Sequence, residues 1–97
     1  MEDSNMIFKN IEWKLLENTD DYIIYTYRLD LGIISYLFNY GICCGKYFVE
    51  CINDYEFNNK YKNIKSLDQA KEICEDKIIN IIMNNVLALL EIIEYEK

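Results

Sequence analysis

The chain has 97 residues, 52% hydrophobic and 28% charged, with a net charge of -7 and neither histidine nor proline. That length and balance describe one folded domain of 1–97 rather than a disordered tail or a pair of domains. Seventeen acids against ten bases argue against direct binding to nucleic-acid phosphates, and the missing imidazole removes Ser-His and Cys-His nucleophile pairs.

Met1–Asn5 is polar and expected to be loose, with the sheet spanning 6–64. The acidic start Met1-Glu2-Asp3-Ser4 is unlike a secretory signal. Neither apolar run is long and clean enough to cross a membrane. Leu31–Cys44 contains Ser35 and Asn39, and Ile78–Ile93 carries Asn80, Asn84 and Asn85. The expectation is a cytoplasmic protein with no membrane partner.

Ile11–Leu16 begins with apolar and charged residues alternating, as in a half-buried first strand. Glu17-Asn18-Thr19-Asp20-Asp21 is turn chemistry. Tyr22–Leu29 is dense in aromatic and β-branched residues and reads as the second strand. Ile23, Tyr25, Tyr27 and Leu29 share one of its faces; Tyr22, Ile24, Thr26 and Arg28 share the other. Asp30–Gly32 breaks the chain. Ile33–Tyr40 reads as a third strand rather than a short buried helix, on its aromatic and β-branched content. Gly41 and Gly45 bracket an expected loop holding Cys43 and Cys44. Lys46–Asn53 is the next strand, with Tyr47, Val49 and Cys51 opposite Phe48, Glu50 and Ile52. A turn at Asn53-Asp54 leads to an expected short edge strand over Tyr55–Tyr61, with Asn58-Asn59-Lys60 as its tip.

Ser66-Leu67-Asp68-Gln69 has the spacing of a capping box, in which Gln69 reaches back to the Ser66 amide. No glycine or proline follows, so a helix is expected over 66–96, with a bend or break near Asn84-Asn85. The predicted fold is therefore α+β, an antiparallel β-meander of about four strands packed on one long C-terminal helix. From Ile78 to Ile93 the apolar arc covers roughly 220 degrees, where one sheet face asks for roughly 100. Ile79, Ile82, Val86, Leu89 and Ile93 form one three-four seam, and Ile78, Ile81, Asn85, Ala88 and Ile92 the next. Either one seam meets a second copy of the chain, with Asn85 setting register, or the sheet wraps the helix on both flanks.

No cofactor or metal is expected. Cys43, Cys44, Cys51 and Cys74 lack metal-ligand spacing and read as buried free thiols. The scattered glycines Gly32, Gly41 and Gly45 build no phosphate cradle. Adjacent acids such as Asp20-Asp21 and Glu75-Asp76 read as solvated charge, so no enzymatic activity is expected. What remains is binding. Nine tyrosines among interleaved acids suit an acidic, aromatic contact face. Glu17, Asp20, Asp21, Tyr22, Asp54, Tyr55 and Glu56 are the expected contact residues.

Trp13, the strand Tyr47-Phe48-Val49-Glu50-Cys51-Ile52 and the junction Ile64-Lys65-Ser66-Leu67-Asp68-Gln69-Ala70-Lys71 resemble small phage and prophage proteins over about half the chain. That resemblance implies a meander followed by a helix and assigns no catalytic residue. Abundant Ile, Asn, Lys and Tyr, with nine lysines to one arginine, also point to an AT-rich genome. Small size and acidity are similar to anti-CRISPR and other anti-defence proteins. The expected function is a non-catalytic, virus-encoded inhibitor that occupies a basic surface of a host nucleic-acid-handling or defence complex, a protein or nucleoprotein partner. The alternatives are a homodimeric structural or regulatory subunit joined through the helix, and a small-ligand sequestering protein with a pocket between sheet and helix.

Overall fold

In the computed structural model, residues 11–95 are described, with side chains through residue 85. The expected loose stretch Met1–Asn5 lies outside the described residues. Four strands, β1 (Lys14–Asn18), β2 (Tyr22–Asp30), β3 (Ser35–Cys43) and β4 (Lys46–Cys51), precede two helices, α1 (Tyr55–Lys60) and α2 (Leu67–Tyr95). The strands form one antiparallel sheet in the order β1-β2-β3-β4. The α+β meander followed by a helix is the architecture expected from the sequence.

Three of the boundary differences have a clear local reason. β1 starts at Lys14 and runs through Glu17, which was expected in the turn. Its register shifts between Leu15 and Glu17, a bulge that leaves Leu16 without a partner. β3 continues through the expected Gly41 loop as far as Cys43. Only Cys44 and Gly45 form the turn, both at positive φ (53° and 79°), as a two-residue hairpin with right-handed twist requires. The third difference is at Tyr55–Lys60, which is helix rather than edge strand. Asp54 caps it, its Oδ1 accepting from Phe57 N at 3.1 Å, and the Asn53-Asp54 turn aims the chain into a helical start.

The register puts Tyr25, Tyr27 and Leu29 opposite Tyr40, Phe38 and Tyr36, and Tyr40 and Phe38 opposite Val49 and Cys51. These residues form the inner face. α2 lays Ala70, Cys74, Ile78 and Ile81 on it, one stripe at helical spacing, and all four are buried. Phe38, Cys51, Cys74 and Ile78 are fully enclosed; burying a side chain the size of Phe38 or Ile78 stabilises by roughly 1.5–3 kcal/mol. Phe57 of α1 closes the β4 side, edge-on to Phe38 with ring centroids 6.2 Å apart. Trp13 closes the β2 side, edge-on to Tyr40 at 4.7 Å, and Tyr40 stacks on Tyr25 at 5.0 Å. These tyrosines are therefore core rather than contact surface.

Gln69 N donates to Ser66 Oγ (3.0 Å), as the capping box requires. The reciprocal bond takes Lys65 N, at 2.7 Å to Gln69 Oε1, one residue before the expected Ser66 amide. α2 runs unbroken past Asn84-Asn85, where a bend or break was expected. Asn85 Nδ2 donates to Ile81 O (2.8 Å), so its carboxamide bonds along the helix instead of interrupting it. The 29 residues of α2 span roughly 43 Å, while the nine-residue strands reach only about 30 Å. Met83, Asn84 and Asn85 are exposed, which marks where the sheet stops covering the helix. Among the described residues no helix is long and apolar enough to cross a membrane.

Candidate functional site

Consecutive turns of a meander lie at alternate ends of its sheet. The β1–β2 turn and the β3–β4 turn share one end; the β2–β3 loop and the chain after β4 share the other. The seven expected contact residues therefore fall into two groups, separated by the roughly 20 Å length of the six-residue β4.

Glu17, Asp20, Asp21 and Tyr22 belong to the first end. Thr19 holds that turn: its N donates to Tyr22 O at 2.7 Å, and its Oγ1 accepts from Tyr22 N at 3.1 Å. Asp20 and Asp21 project into water. Asp21 O accepts from Cys44 N at 3.0 Å, and the Tyr22 hydroxyl lies 3.4 Å from Cys44 Sγ, so the acidic tip is tied to the neighbouring hairpin. The Cys44 hydrogen bond, then the charge of the nearby thiols, raises the Tyr22 hydroxyl above its usual pKa. Cys43 and Cys44 are exposed here, against the expectation that all four thiols are buried; only Cys51 and Cys74 are. The cause is the position of the turn, which carries the first pair out of the core.

Asp54, Tyr55 and Glu56 belong to the second end. Asp54 already caps α1 and pairs with Lys77 Nζ at 3.6 Å, so its carboxylate serves the structure. Tyr55 is 83% exposed, unusual for a large aromatic ring. Sequence reasoning missed its neighbours at this end. Ile33 is completely exposed and Ile34 is half exposed. Both sit in the β2–β3 loop, where Gly32 N donates to Asp30 Oδ1 (2.9 Å) and Leu31 N to Ile34 O (2.9 Å). Gly32, at φ 89°, permits the turn. The signal is present in Asp30-Leu31-Gly32, an Asx turn that throws the next residue outward, while β-branched content alone starts the strand at Ile33.

Of the two helical seams, Ile78 and Ile81 face the sheet. Ile79 and Ile82 are half-buried beside them, and Asn85 is exposed with its amide nitrogen bonded to Ile81 O. The side chains of Val86, Leu89 and Ile93 lie outside the described residues. The sheet–helix interface, where a small-molecule pocket had been one alternative, is filled by Phe38, Cys51, Cys74 and Ile78. A cleft of about 370 Å3 lies instead between α1 and α2, lined by charges of both signs including Asp54, Glu56, Lys60 and Asp76. No family model, curated protein or solved structure matches the chain.

Proposed function

We propose that the chain is a non-catalytic binding protein that docks on a basic protein surface through the end of the sheet carrying Ile33, Tyr55 and Glu56. The observation that carries this reading is the exposure of Ile33 and Tyr55, 103% and 83% respectively. Large apolar side chains held out on a hydrogen-bonded loop and a helix start are the form of an interface anchor, and burying them on a partner supplies affinity. The net charge of -7 supplies steering towards a positive surface, with Glu17, Asp20 and Asp21 at the far end adding to the long-range field. Host nucleic-acid-handling and defence complexes present such surfaces, and occupying one would inhibit it.

The test is titration against a panel of basic nuclease and defence complexes over increasing salt. Binding should weaken steeply with salt, and Ile33→Asp or Tyr55→Ala should each reduce affinity at least about tenfold. Asp20→Lys with Asp21→Lys should slow association and leave dissociation nearly unchanged. Salt-independent affinity, or no binding to any member of the panel, overturns the proposal.

A further inference from the structure

The two edges of the sheet are not alike. Along β4 the turn Cys44-Gly45 makes Cys43 and Lys46 the bonded pair that closes the hairpin. Even-numbered positions beyond it then turn their N–H and C=O towards β3, and odd-numbered positions turn theirs outward. The far end bears this out. Ile52 N donates to Leu37 O at 2.9 Å, facing β3. The outward N–H and C=O of Cys51 are both taken by the Asn58 side chain, at 2.7 Å to Oδ1 and 3.0 Å from Nδ2. Asn58 thus stands where the peptide group of a fifth strand would stand. At Val49 and Tyr47 nothing replaces it: their outward N–H and C=O groups have no partner among the described residues.

The outward groups of Tyr47 border an open groove of about 730 Å3 between the edge of β4 and the segment at 62–65, and those of Val49 lie further along the same edge, between that groove and Asn58. Lys46, Lys62 and Lys65 line the groove, with the exposed ring of Tyr47, and no carboxylate does so among the described residues. In a chain with ten basic residues and a net charge of -7, three cations without an acid form a local reversal of sign. An unpaired strand edge, an open groove beside it and uniform positive charge together specify an occupant. It is extended, it offers its own backbone to the edge, and it is negatively charged.

We propose that this groove binds an acidic, extended peptide segment of a partner protein as a fifth strand. The segment bonds to Tyr47 and Val49, is stopped by Asn58 at one end, and sets its carboxylates against Lys46, Lys62 and Lys65. A second copy of the chain fits less well. Its other sheet edge among the described residues, β1, is five residues long, starts with a lysine and is bulged between Leu15 and Glu17, which are the features that keep an edge from pairing, while its β4 edge carries the same lysines and would repel. The site is separate from the end carrying Ile33 and Tyr55, and its partner has the opposite charge. The two proposals therefore fail independently.

The probe is the peptide acetyl-Glu-Thr-Glu-Val-Glu-Thr-Glu-amide, titrated into the isotope-labelled protein and followed by amide shifts and hydrogen exchange. Shifts and slowed exchange are expected at Tyr47 and Val49. Lys46→Glu, Lys62→Glu and Lys65→Glu, all at exposed positions, should together weaken binding at least about tenfold, as should N-methylation of alternate peptide groups in the probe. The same probe with lysine in place of glutamate should not bind. Equal binding by the N-methylated peptide overturns strand addition, and equal binding by the lysine peptide overturns the charge assignment. Shifts confined to other parts of the protein, or none at millimolar peptide, overturn the site. Concentration-dependent self-association abolished by the three lysine changes would give the groove to a second copy and overturn the partner assignment.

Discussion

Trp13 and Glu75, 62 positions apart in the chain, are joined by a 3.0 Å hydrogen bond from the indole Nε1 to the carboxylate Oε2. The bond fastens the segment before β1 to α2 over the rings of Tyr27 and Tyr40. It also satisfies the one polar atom of an otherwise apolar side chain. Trp13→Phe and Glu75→Ala should each lower stability by about 1–2 kcal/mol in urea denaturation, since a bond to a charged acceptor in a half-buried place is lost. The double variant should cost less than the sum, because both changes remove the same bond.

Asn58 gives a second test. Its carboxamide donates to Cys51 O and accepts from Cys51 N, tying α1 to the end of β4. Asn58→Ala should destabilise by about 1–3 kcal/mol and speed hydrogen exchange at the Cys51 amide. Asn58→Asp keeps the acceptor and loses the donor, and should fall between the two.

Gly41 and Gly45 separate two reasons for glycine. A Cβ on Gly41 would lie 1.7 Å from Ile23 O on the neighbouring strand, a backbone atom that cannot move aside alone. Gly41→Ala is expected to cost about 4 kcal/mol or more, or to prevent folding, as judged by soluble yield and denaturation. A Cβ on Gly45 meets nothing within 4 Å, but the backbone there sits at φ +79°. Gly45→Ala should cost only about 1–2 kcal/mol, and Gly45→Asn less than that.

The core predicts the alkaline limit. Burial pushes the Cys51 thiol from 9.0 up to about 11 and the Cys74 thiol up to about 12. Burial likewise raises the Tyr40 hydroxyl from 10.0 to about 12. Above about pH 9 the unfolded chain therefore gives up protons that the folded chain keeps. The stability these groups contribute is whole below about pH 9 and is lost as the pH rises towards about 12. Denaturation midpoints should hold steady between about pH 7 and 9 and fall beyond that. Cys74→Ala should make the alkaline fall shallower.

The elements carried by local composition and capping were readable from the residues alone. β2 and β4 are dense in β-branched and aromatic residues, and the Ser66 cap opens a helix because Ser and Gln stand three apart. α1 was not readable in this way, because Tyr55 and Phe57 alternate like strand residues while the deciding interaction is the Asp54 side chain on Phe57 N. The contact set divided for a different reason. Residue types show which side chains suit an interface, but only the order of the strands shows that Tyr22 and Tyr55 lie at opposite ends of the sheet. The open edge at Tyr47 and Val49 depends on hydrogen-bond parity, which follows from a two-residue turn that the spacing of Gly41 and Gly45 alone presents as a longer loop.

The distribution of sulfur gives the molecule two chemical clocks. Cys43 and Cys44 stand in solvent, while Cys51 on β4 and Cys74 on α2 are enclosed from opposite sides of the same interface. A thiol-alkylating reagent will reach the first pair directly from solvent. It will reach the second pair only in those moments when helix and sheet come apart. The lag between the two modifications, read by mass, measures how often the native state opens, with no engineered label and no denaturant.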